Sequence, residues 1–303
     1  MRIVSLLAAG TEIVCALGAG DFLVARSHEC DYPEWVKRLP AVTSAAFDTS
    51  VSSREIDAEV NRRIRAGERL YCVDEQSIAA MAPDLIITQS HCPVCAISHQ
   101  DITGPVCRLK STILSLQAGS LTGIDEDIRH IAASLGRPDA GRKFIELQHC
   151  RRAEISRSLD QFNAPTAVVL EWIDPLFAMG NWGPELMELA HCRPVMGNRG
   201  AHSQAIPMSR LLSADPEVII IAPCGFSLHR TRTEARVLTE HKDWGRLQAV
   251  QRGRVYLADG NRYFNRSGIS LTDTVEIMAE ILHGQGGVNR FHAWEPLVDC
   301  VRQ

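Results

Sequence analysis

The stretch Ala82-Pro-Asp-Leu-Ile-Ile-Thr88 decides the fold class, because Ala214-Asp-Pro-Glu-Val-Ile-Ile-Ile221 repeats its pattern in the second half of the chain. Each stretch reads as the end of a helix, a turn that contains proline, and then a buried strand. Around this weak repeat, short apolar strands alternate with helical patterns, which is typical of parallel α/β units. The sequence therefore predicts an α/β protein of two Rossmann-like lobes.

A polar stretch with helical spacing lies between the halves at 139–162, and its apolar seam is Phe144, Leu147, Ile155 and Leu159. At about 1.5 Å per residue it forms a rod of about 36 Å, which predicts a long helix joining the lobes. We expect an N-terminal lobe at 1–118, a connecting helical segment at 119–163 and a C-terminal lobe at 164–303. The predicted strands are 3–7, 22–26, 84–88, 113–116, 167–171, 217–222 and 255–258, and the shorter helices are 11–18, 75–81, 184–190 and 271–282.

Length and composition describe an ordinary globular chain. Its 303 residues are enough for two lobes with separate cores, and 45% of them are hydrophobic. Lys and Arg (32) are outnumbered by Asp and Glu (36) and form no basic block, which argues against nucleic acid and anionic membranes. Because Glu12 interrupts the first apolar run, residues 1–20 read as a strand and helix rather than an export signal. The sequence as given predicts a cytoplasmic protein, or a periplasmic one if the start is truncated.

Polar and aromatic residues follow five strand-like runs. Open α/β sheets carry their ligand-binding loops at the carboxyl ends of strands, so these segments predict a ligand cleft between the lobes. The ligand is expected to be bulky and partly held by aromatic rings. The five segments are Ser27-His-Glu-Cys-Asp-Tyr-Pro33, Ser90-His-Cys-Pro-Val-Cys95, Glu171-Trp-Ile-Asp-Pro175, Pro223-Cys-Gly-Phe226 and Asp259-Gly-Asn-Arg-Tyr-Phe264.

Each segment also has a purely structural interpretation. Trp172 and Trp182 suit stacking on a planar ligand, and the alternative is packing at the edge of a lobe. The 29–33 segment could equally be a solvated turn. Arg262 and Arg266 could bind amide or phosphate oxygens, and the alternative is a surface role.

The ten cysteines are scattered, so free thiols in a reducing compartment are the simplest interpretation. The most metal-like segment is His91-Cys-Pro-Val-Cys95, where a zinc site would need His91, His99 or Cys107 to complete four ligands. Thiol-disulfide exchange is a further alternative for this segment. The sequence lacks the serine-hydrolase elbow, the Walker loop, the dinucleotide fingerprint and the His-Glu-x-x-His motif, so no catalytic residue and no firm metal site are predicted.

Taken together, these segments resemble the cobalamin-binding substrate-binding proteins of ABC importers over nearly the whole chain. The resemblance implies two α/β lobes bridged by a long helix, with small lobe movements and a corrinoid held between the lobes. The matching residues are Ile3-Val-Ser-Leu with Thr11-Glu-Ile13, Ser27-His-Glu-Cys-Asp-Tyr-Pro33, Pro83-Asp-Leu-Ile-Ile-Thr-Gln89 with Cys92-Pro-Val-Cys-Ala96, Glu171-Trp-Ile-Asp-Pro175, Gly180-Asn-Trp182, Pro184-Glu-Leu186, Pro223-Cys-Gly-Phe226 and Asp259-Gly-Asn261 with Tyr263-Phe264.

The prediction is therefore a monomeric, non-catalytic binding protein for cobalamin or a related corrinoid, which requires no cofactor and serves ABC-type uptake with an importer permease as partner. Haem or an iron-siderophore is the alternative ligand, and a cytoplasmic metal- or thiol-dependent enzyme using Cys92 and Cys95 is the rival function. Coordination of cobalt by His28 or His91 is a further hypothesis. For importer docking the resemblance implies an acidic residue on the outer face of each lobe. Glu75 supplies one in the first lobe, whereas the matching helix of the second lobe has Ser209-Arg210. The expected ligand-binding residues are Glu29, Tyr32, His91, Cys92, Trp172, Asp174, Trp182, Phe226, Asn261, Tyr263 and Phe264.

Overall fold

The computed structural model describes residues 1–90, 111–284 and 292–297, and the chain divides into two compact units. Unit 1 comprises Met1–Val51, Ala58–Leu147 and Ser267–Ile269, and unit 2 comprises Ser52–Asp57, Gln148–Arg266 and the chain from Ser270 onward. The segment 119–163 is thus divided between the units and does not form a third part. Its first helix joins unit 1 because Ile124, Ile128 and Ile131 lie on one buried face.

Unit 1 is built on a sheet of four parallel strands. The unit has six strands in all, of which four form this sheet. They are β1 Ile3–Ser5, β2 Leu23–Arg26, β3 Thr43–Ala45, β4 Tyr71–Val73, β5 Leu85–Gln89 and β6 Thr112–Leu116. The sheet order is β2-β1-β5-β6, and β3 and β4 form a separate antiparallel pair. Val4, Ala25 and Ile86 contribute to the core beneath the sheet. Strands this apolar are typical of parallel sheets that are covered on both faces.

Five α-helices begin in unit 1 or lead into it. They are α1 Ala8–Ala16, α2 Ser53–Ala66, α3 Glu75–Met81, α4 Leu121–Ser134 and α5 Pro138–Leu159, with 3₁₀ turns at Gly20–Phe22 and Glu34–Arg38. Helix α3 has the predicted bounds. Its start is fixed by Asp74, whose side chain accepts from the Ser77 N–H. Helix α2 was not predicted, and helix α4 lies within the segment 119–163 that was predicted only as helical in general.

The long helix α5 confirms the predicted helix between the halves, but its predicted apolar seam is wrong at Leu147, which is 57% exposed. The buried stripe instead contains Ile145, Gln148, Arg152 and Leu159. Two of these side chains are polar at the tip and apolar along the stem, so a search for apolar residues alone misplaces the buried face. Residues up to Leu147 belong to unit 1 and those from Gln148 to unit 2.

Unit 2 contains a larger mixed sheet. Its strands are β7 Thr166–Trp172, β8 Leu176–Ala178, β9 Arg193–Pro194, β10 Gln204–Ile206, β11 Val218–Ile221, β12 Val255–Ala258 and β13 Trp294–Pro296. The order is β10-β8-β7-β11-β12-β13, with β9 also paired to β7. The pairs β7-β11 and β11-β12 are parallel, whereas β8, β10 and β13 run antiparallel to their neighbours. Val168, Ile219 and Leu257 lie in the core of this unit.

The helices of unit 2 are α6 Gly183–Leu189, α7 Met208–Ala214, α8 Leu228–Glu234, α9 Arg236–Thr239, α10 Gln248–Gln251 and α11 Leu271–His283, with a 3₁₀ turn at Trp244–Arg246 and a π-helical turn at Gly260–Phe264. Each helix in the described residues is too short or too polar to cross a membrane.

The two halves of the sequence repeat adopt the same local structure. Helix α3 ends at Ala82 with φ of 44°, helix α7 ends at Asp215 with φ of 39°, and each is followed by proline and a buried strand. The left-handed residue ends the helix, and the proline that follows prevents its continuation. The predicted α/β fold with parallel strands in two units and a long helix is confirmed.

Candidate functional site

Three of the five sequence segments meet at one edge of the sheet in unit 2. Strands β7, β11 and β12 are adjacent and parallel, so the residues after Trp172, Ile221 and Ala258 emerge at the same edge. Backbone hydrogen bonds join the three loops, from Cys224 N to Glu171 O at 2.9 Å and from Asn261 N to Phe226 O at 3.0 Å. This edge is the candidate site of unit 2.

The loop after β12 packs so closely on the loop after β11 that only glycine fits at position 260. A Cβ atom there would overlap the carbonyl oxygens of Pro223 and Ala222. The Asn265 side chain closes the same contact by donating to Ala222 O at 2.9 Å and Gly260 O at 3.0 Å. The loops therefore form a fixed platform in which each backbone supports the next.

Trp172 is an aromatic residue of this platform that keeps part of its surface exposed, as does Tyr263. Its ring lies 5.2 Å from that of Phe226, at a tilt of 59°, and the Arg230 guanidinium lies 3.7 Å from the Phe226 centroid. The indole Nε1 donates to the carbonyl oxygen of Ser53 at 3.2 Å. Phe226, predicted to contact a ligand, is buried and instead supports Trp172.

Asp174 lies two residues beyond the end of β7 and forms an ion pair with Arg54, whose Nε lies 2.9 Å from Oδ2. The Arg54 side chain is 77% exposed, whereas that of Asp174 is partly buried. The peptide bond between Asp174 and Pro175 is cis. A partly buried carboxylate next to Trp172 can accept hydrogen bonds from a ligand.

Trp182 and Phe264 do not offer a surface to a ligand, contrary to the sequence prediction. Trp182 is 4% exposed and Phe264 is fully buried, and the indole of Trp182 donates to Phe264 O at 3.1 Å. Trp182 immediately precedes helix α6, and its ring is directed into the interior. For Trp182 the packing interpretation describes the structure, and Phe264 is packed in the same way, because a ring with almost no exposed area cannot stack on a ligand.

Asn261, Tyr263 and Arg262 are partly buried at the end of β12. The Asp259 carboxylate accepts from the N–H groups of Asn261 and Arg262 at 3.0 and 2.8 Å, which fixes the turn. The Arg266 side chain, for which a surface role was the alternative, is buried and donates to Asn261 Oδ1 at 3.1 Å. The Asn261 side-chain oxygen thus has a partner inside the protein. The Arg262 guanidinium carbon lies 5.3 Å from the centroid of the Tyr263 ring.

In unit 1 the segment after β2 is organised around His28. Its Nδ1 lies 2.7 Å from Thr43 Oγ1, which in turn donates to Ser27 Oγ at 3.1 Å. Burial, and secondly the positive charge of Arg26, lowers the pKa of His28, so the imidazole is neutral at neutral pH. Nδ1 is occupied by Thr43, which leaves Nε2 as the nitrogen that could bind a metal.

The predicted ligand residues Glu29 and Tyr32 follow His28 directly. Glu29 is partly buried, and Tyr32 is 42% exposed beside a cis bond to Pro33. Cys30 is buried and accepts from the Thr11 hydroxyl at 3.0 Å, so its thiol has a structural role. The exposed phenol is therefore the largest aromatic surface of this segment.

His91 and Cys92 lie outside the described residues, as do Cys95, His99 and Cys107. Within the described residues, no group of three or more His, Cys, Asp or Glu side chains is arranged to hold a metal ion. The cysteines that the structure describes form no disulfide with one another. Burial raises the pKa of Cys192 to about 12 and that of Cys15 to about 11, so neither is a reactive thiolate.

The sequence did not reveal four residues that contact the candidate site. Ser53 and Arg54 precede Trp172 by more than a hundred positions, and Arg230 and Glu234 lie on helix α8. One signal was present, because Ser52 and Glu55 form a capping box. The Glu55 N–H donates to Ser52 Oγ at 3.4 Å, and the Ser52 N–H donates to Glu55 Oε2 at 3.0 Å. That signal marks the start of helix α2 but says nothing of its contact with Trp172.

Parallel sheets with polar and aromatic loops at their carboxyl ends define a class of ligand-binding α/β proteins. Residues 3–261 match the family model described as periplasmic binding protein, so the chain belongs to that family. The family is one of binding proteins, which supports the predicted absence of catalysis. It also supports the periplasmic alternative and gives no support to the cytoplasmic expectation.

Solved structures share the fold at low sequence identity. An ABC transporter substrate-binding protein from Listeria monocytogenes EGD-e is 16% identical with a TM-score of 0.71, covering 93% of this chain and 98% of its own. The periplasmic vitamin B12 binding protein BtuF of Vibrio cholerae is 20% identical with a TM-score of 0.64, covering 92% and 95%. A periplasmic haem-binding protein from Pseudomonas aeruginosa is 18% identical with a TM-score of 0.64, covering 98% and 95%. A comparison with curated protein sequences finds no match.

Proposed function

We propose that this chain binds cobalamin or a related corrinoid, without catalysis and without a cofactor of its own, through the carboxyl-end loops of its parallel strands. The observation that carries the proposal is the partly exposed indole of Trp172. Its ring packs against Phe226, and the carboxylate of Asp174 lies two residues further along the chain. A flat, apolar macrocycle with polar substituents matches that combination of groups.

The chemistry of the polar groups favours an amide-rich ligand. Glu29 and Asp174 are carboxylates, which accept hydrogen bonds from amide N–H groups. The Glu29 carboxylate repels the two propionates of haem, and the Arg54 guanidinium, which would attract them, is already paired with Asp174. A corrinoid, which carries several carboxamides, therefore fits these groups better than a dicarboxylate porphyrin does.

The aromatic surfaces would contribute part of the binding free energy. An indole and a phenol that each cover part of a macrocycle bury apolar area at roughly 25 cal/mol per Å², which amounts to several kcal/mol before the cost of association. Because Trp172 is held by Phe226 and Ser53 before the ligand arrives, little side-chain freedom remains to be lost.

Delivery to an ABC importer in the periplasm is part of the proposal. Family membership supports it, as does the shared fold with a vitamin B12 binding protein and an ABC transporter substrate-binding protein. Glu75, the first residue of helix α3, is the acidic residue that would contact a permease from unit 1.

Haem or an iron-siderophore is the second candidate ligand, and one observation favours it. The exposed phenol of Tyr32 could coordinate ferric iron, for which phenolate oxygen is a suitable ligand. Solved haem-binding proteins also share the fold. Tyr32→Phe distinguishes the candidates, since it removes the phenolate but keeps the ring that a corrinoid would contact.

The experiment is a titration of the purified chain with cyanocobalamin, dicyanocobinamide and hemin, followed by calorimetry and the visible spectrum. We expect stoichiometric binding of a corrinoid and weaker binding of hemin. Tight binding of hemin alone, lost in Tyr32→Phe, would assign the site to haem. Elemental analysis tests the rival function, a metal- or thiol-dependent enzyme that uses Cys92 and Cys95. Stoichiometric zinc or iron in purified protein that has no chelate bound would favour a metal centre at these cysteines over the proposal.

A further inference from the structure

We infer that Glu234 is the positioning residue of the unit 2 site, because it fixes Trp172 and Asp174 through Ser53 and Arg54. The inference rests on the proposed function, in which Trp172 and Asp174 contact the ligand. Glu234 itself lies at the end of helix α8 and is not among the predicted ligand residues. All of the contacts involved lie within unit 2.

The first step is a paired hydrogen bond. Oε1 of Glu234 accepts from the backbone N–H of Ser53 at 2.7 Å and from the Ser53 hydroxyl at 2.6 Å. Ser53 is fully buried, so these donors have no access to bulk water as an alternative partner. One carboxylate oxygen therefore holds both the backbone and the side chain of the first residue of helix α2.

The second step leads from Ser53 to the ligand residues. The carbonyl oxygen of Ser53 accepts the indole N–H of Trp172 at 3.2 Å. The next residue, Arg54, donates from Nε to Asp174 Oδ2 at 2.9 Å. A displacement of Ser53 would thus move the partners of both the indole and the carboxylate at the same time.

Helix α8 is well suited to act as the fixed point. Ser227 caps its start, and the buried Thr231 donates to Ala258 O at 3.2 Å, which ties the helix to strand β12. Arg230 lies one turn before Glu234 and contacts the Phe226 ring that supports Trp172. Trp172 is therefore oriented from the same helix in two ways, through Phe226 and through Ser53.

The test uses Glu234→Ala, Glu234→Gln and the control Glu240→Ala, which removes an exposed carboxylate at the end of helix α9. The first readout needs no ligand: it is the indole ¹H–¹⁵N resonance of Trp172, assigned with Trp172→Phe, together with the exchange rate of the indole proton. We expect Glu234→Ala to shift this resonance and to accelerate exchange. Glu234→Gln should retain much of the wild-type behaviour, because its amide oxygen can still accept from Ser53.

The second readout is the dissociation constant for cyanocobalamin. We expect Glu234→Ala to weaken binding about tenfold, which corresponds to about 1.4 kcal/mol, while Glu234→Gln and Glu240→Ala stay close to wild type. Circular dichroism verifies that each variant is folded. If Glu234→Ala does not fold, Ser53→Ala takes its place. This variant removes the hydroxyl bond to Glu234 and is expected to shift the indole resonance of Trp172.

Two results would overturn the inference. One is an unchanged Trp172 resonance in folded Glu234→Ala, and the other is a moved resonance accompanied by wild-type affinity. If the wild-type chain binds none of the chelates while the resonance moves as expected, the proposed function fails but the positioning of Trp172 by Glu234 stands.

Discussion

The indole nitrogen of Trp172 and the carbonyl oxygen of Ser53 form a 3.2 Å hydrogen bond, although 119 residues separate them in the chain. The bond satisfies the polar end of the indole inside the protein and leaves its ring face for the proposed ligand. In the proposed function, binding then depends on the orientation of one side chain that is fixed in the absence of ligand.

Trp172→Phe and Trp172→Ala separate the contribution of the ring from that of the indole bond. We predict that Trp172→Ala weakens cyanocobalamin binding about 30-fold, in the range of an interface hot spot, because the aromatic surface is lost. Trp172→Phe should cost less, since a ring still packs on Phe226. Calorimetric titration measures both effects, and equal losses in the two variants would contradict a contribution from aromatic packing and assign the loss to the indole itself.

Gly260→Ala should lower the free energy of unfolding by about 3 kcal/mol, because its Cβ would collide with the backbone of Ala222 and Pro223. The matched control is Gly245→Ala, where a Cβ has open space and the change should stay within about 1 kcal/mol. Urea denaturation measures both. Similar values for the two variants would contradict the close packing of the platform loops.

Asp127 makes stability depend on pH. Burial raises its pKa from 3.8 to about 6, although the N–H groups of Gln117 and Ala118 oppose the rise. The folded chain therefore binds more protons at this site than the unfolded chain, and the free energy of unfolding falls as pH rises from 3.8 to about 6. The loss is about 1.4 kcal/mol per pKa unit.

Asp127→Asn should remove this slope, because the amide cannot ionise and its oxygen can still accept from the backbone. Denaturation series between pH 4 and pH 7, with exposed Asp139→Asn as control, measure the difference. A wild-type slope that survives in Asp127→Asn would assign the pH dependence to other groups.

Of the two histidines in the cobalt hypothesis, His28 is the one that the structure describes, and its lowered pKa keeps the imidazole neutral for binding a metal. If it does so, His28→Ala will change the visible spectrum of the aquocobalamin complex, and His91→Ala provides the parallel test for the other candidate. An unchanged spectrum in both variants would dispose of cobalt coordination by either histidine.

The sequence predicted the alternation of strands and helices well, because the determining signals are local. The helix ends at Ala82 and Asp215, with proline directly after each, are visible in the sequence and mark strands β5 and β11. The predicted strand positions depend on neighbouring residues only. The meeting of three predicted segments at one edge of the sheet depends in addition on the order β7-β11-β12, which joins strands that are distant in the chain.

Burial of individual aromatic rings was not predictable in the same way. Trp172 and Trp182 both follow strands near Gly or Pro, yet the first is partly exposed and the second is interior. Their difference depends on distant partners, Ser53 for one and Phe264 for the other. No local pattern distinguishes an indole that donates to one distant carbonyl from an indole that donates to another.

The measurement that tests the central claim most directly is a calorimetric titration of cyanocobalamin into the wild-type chain and into Tyr32→Ala, Trp172→Ala and Trp35→Ala. Tyr32 and Trp172 are predicted ligand residues from different units, and Trp35 is a similarly exposed aromatic outside the predicted set. We predict one ligand per chain, weaker binding in both Tyr32→Ala and Trp172→Ala, and wild-type binding in Trp35→Ala. Full corrinoid affinity in folded Tyr32→Ala and Trp172→Ala, or no corrinoid binding to the wild-type chain, would contradict the account.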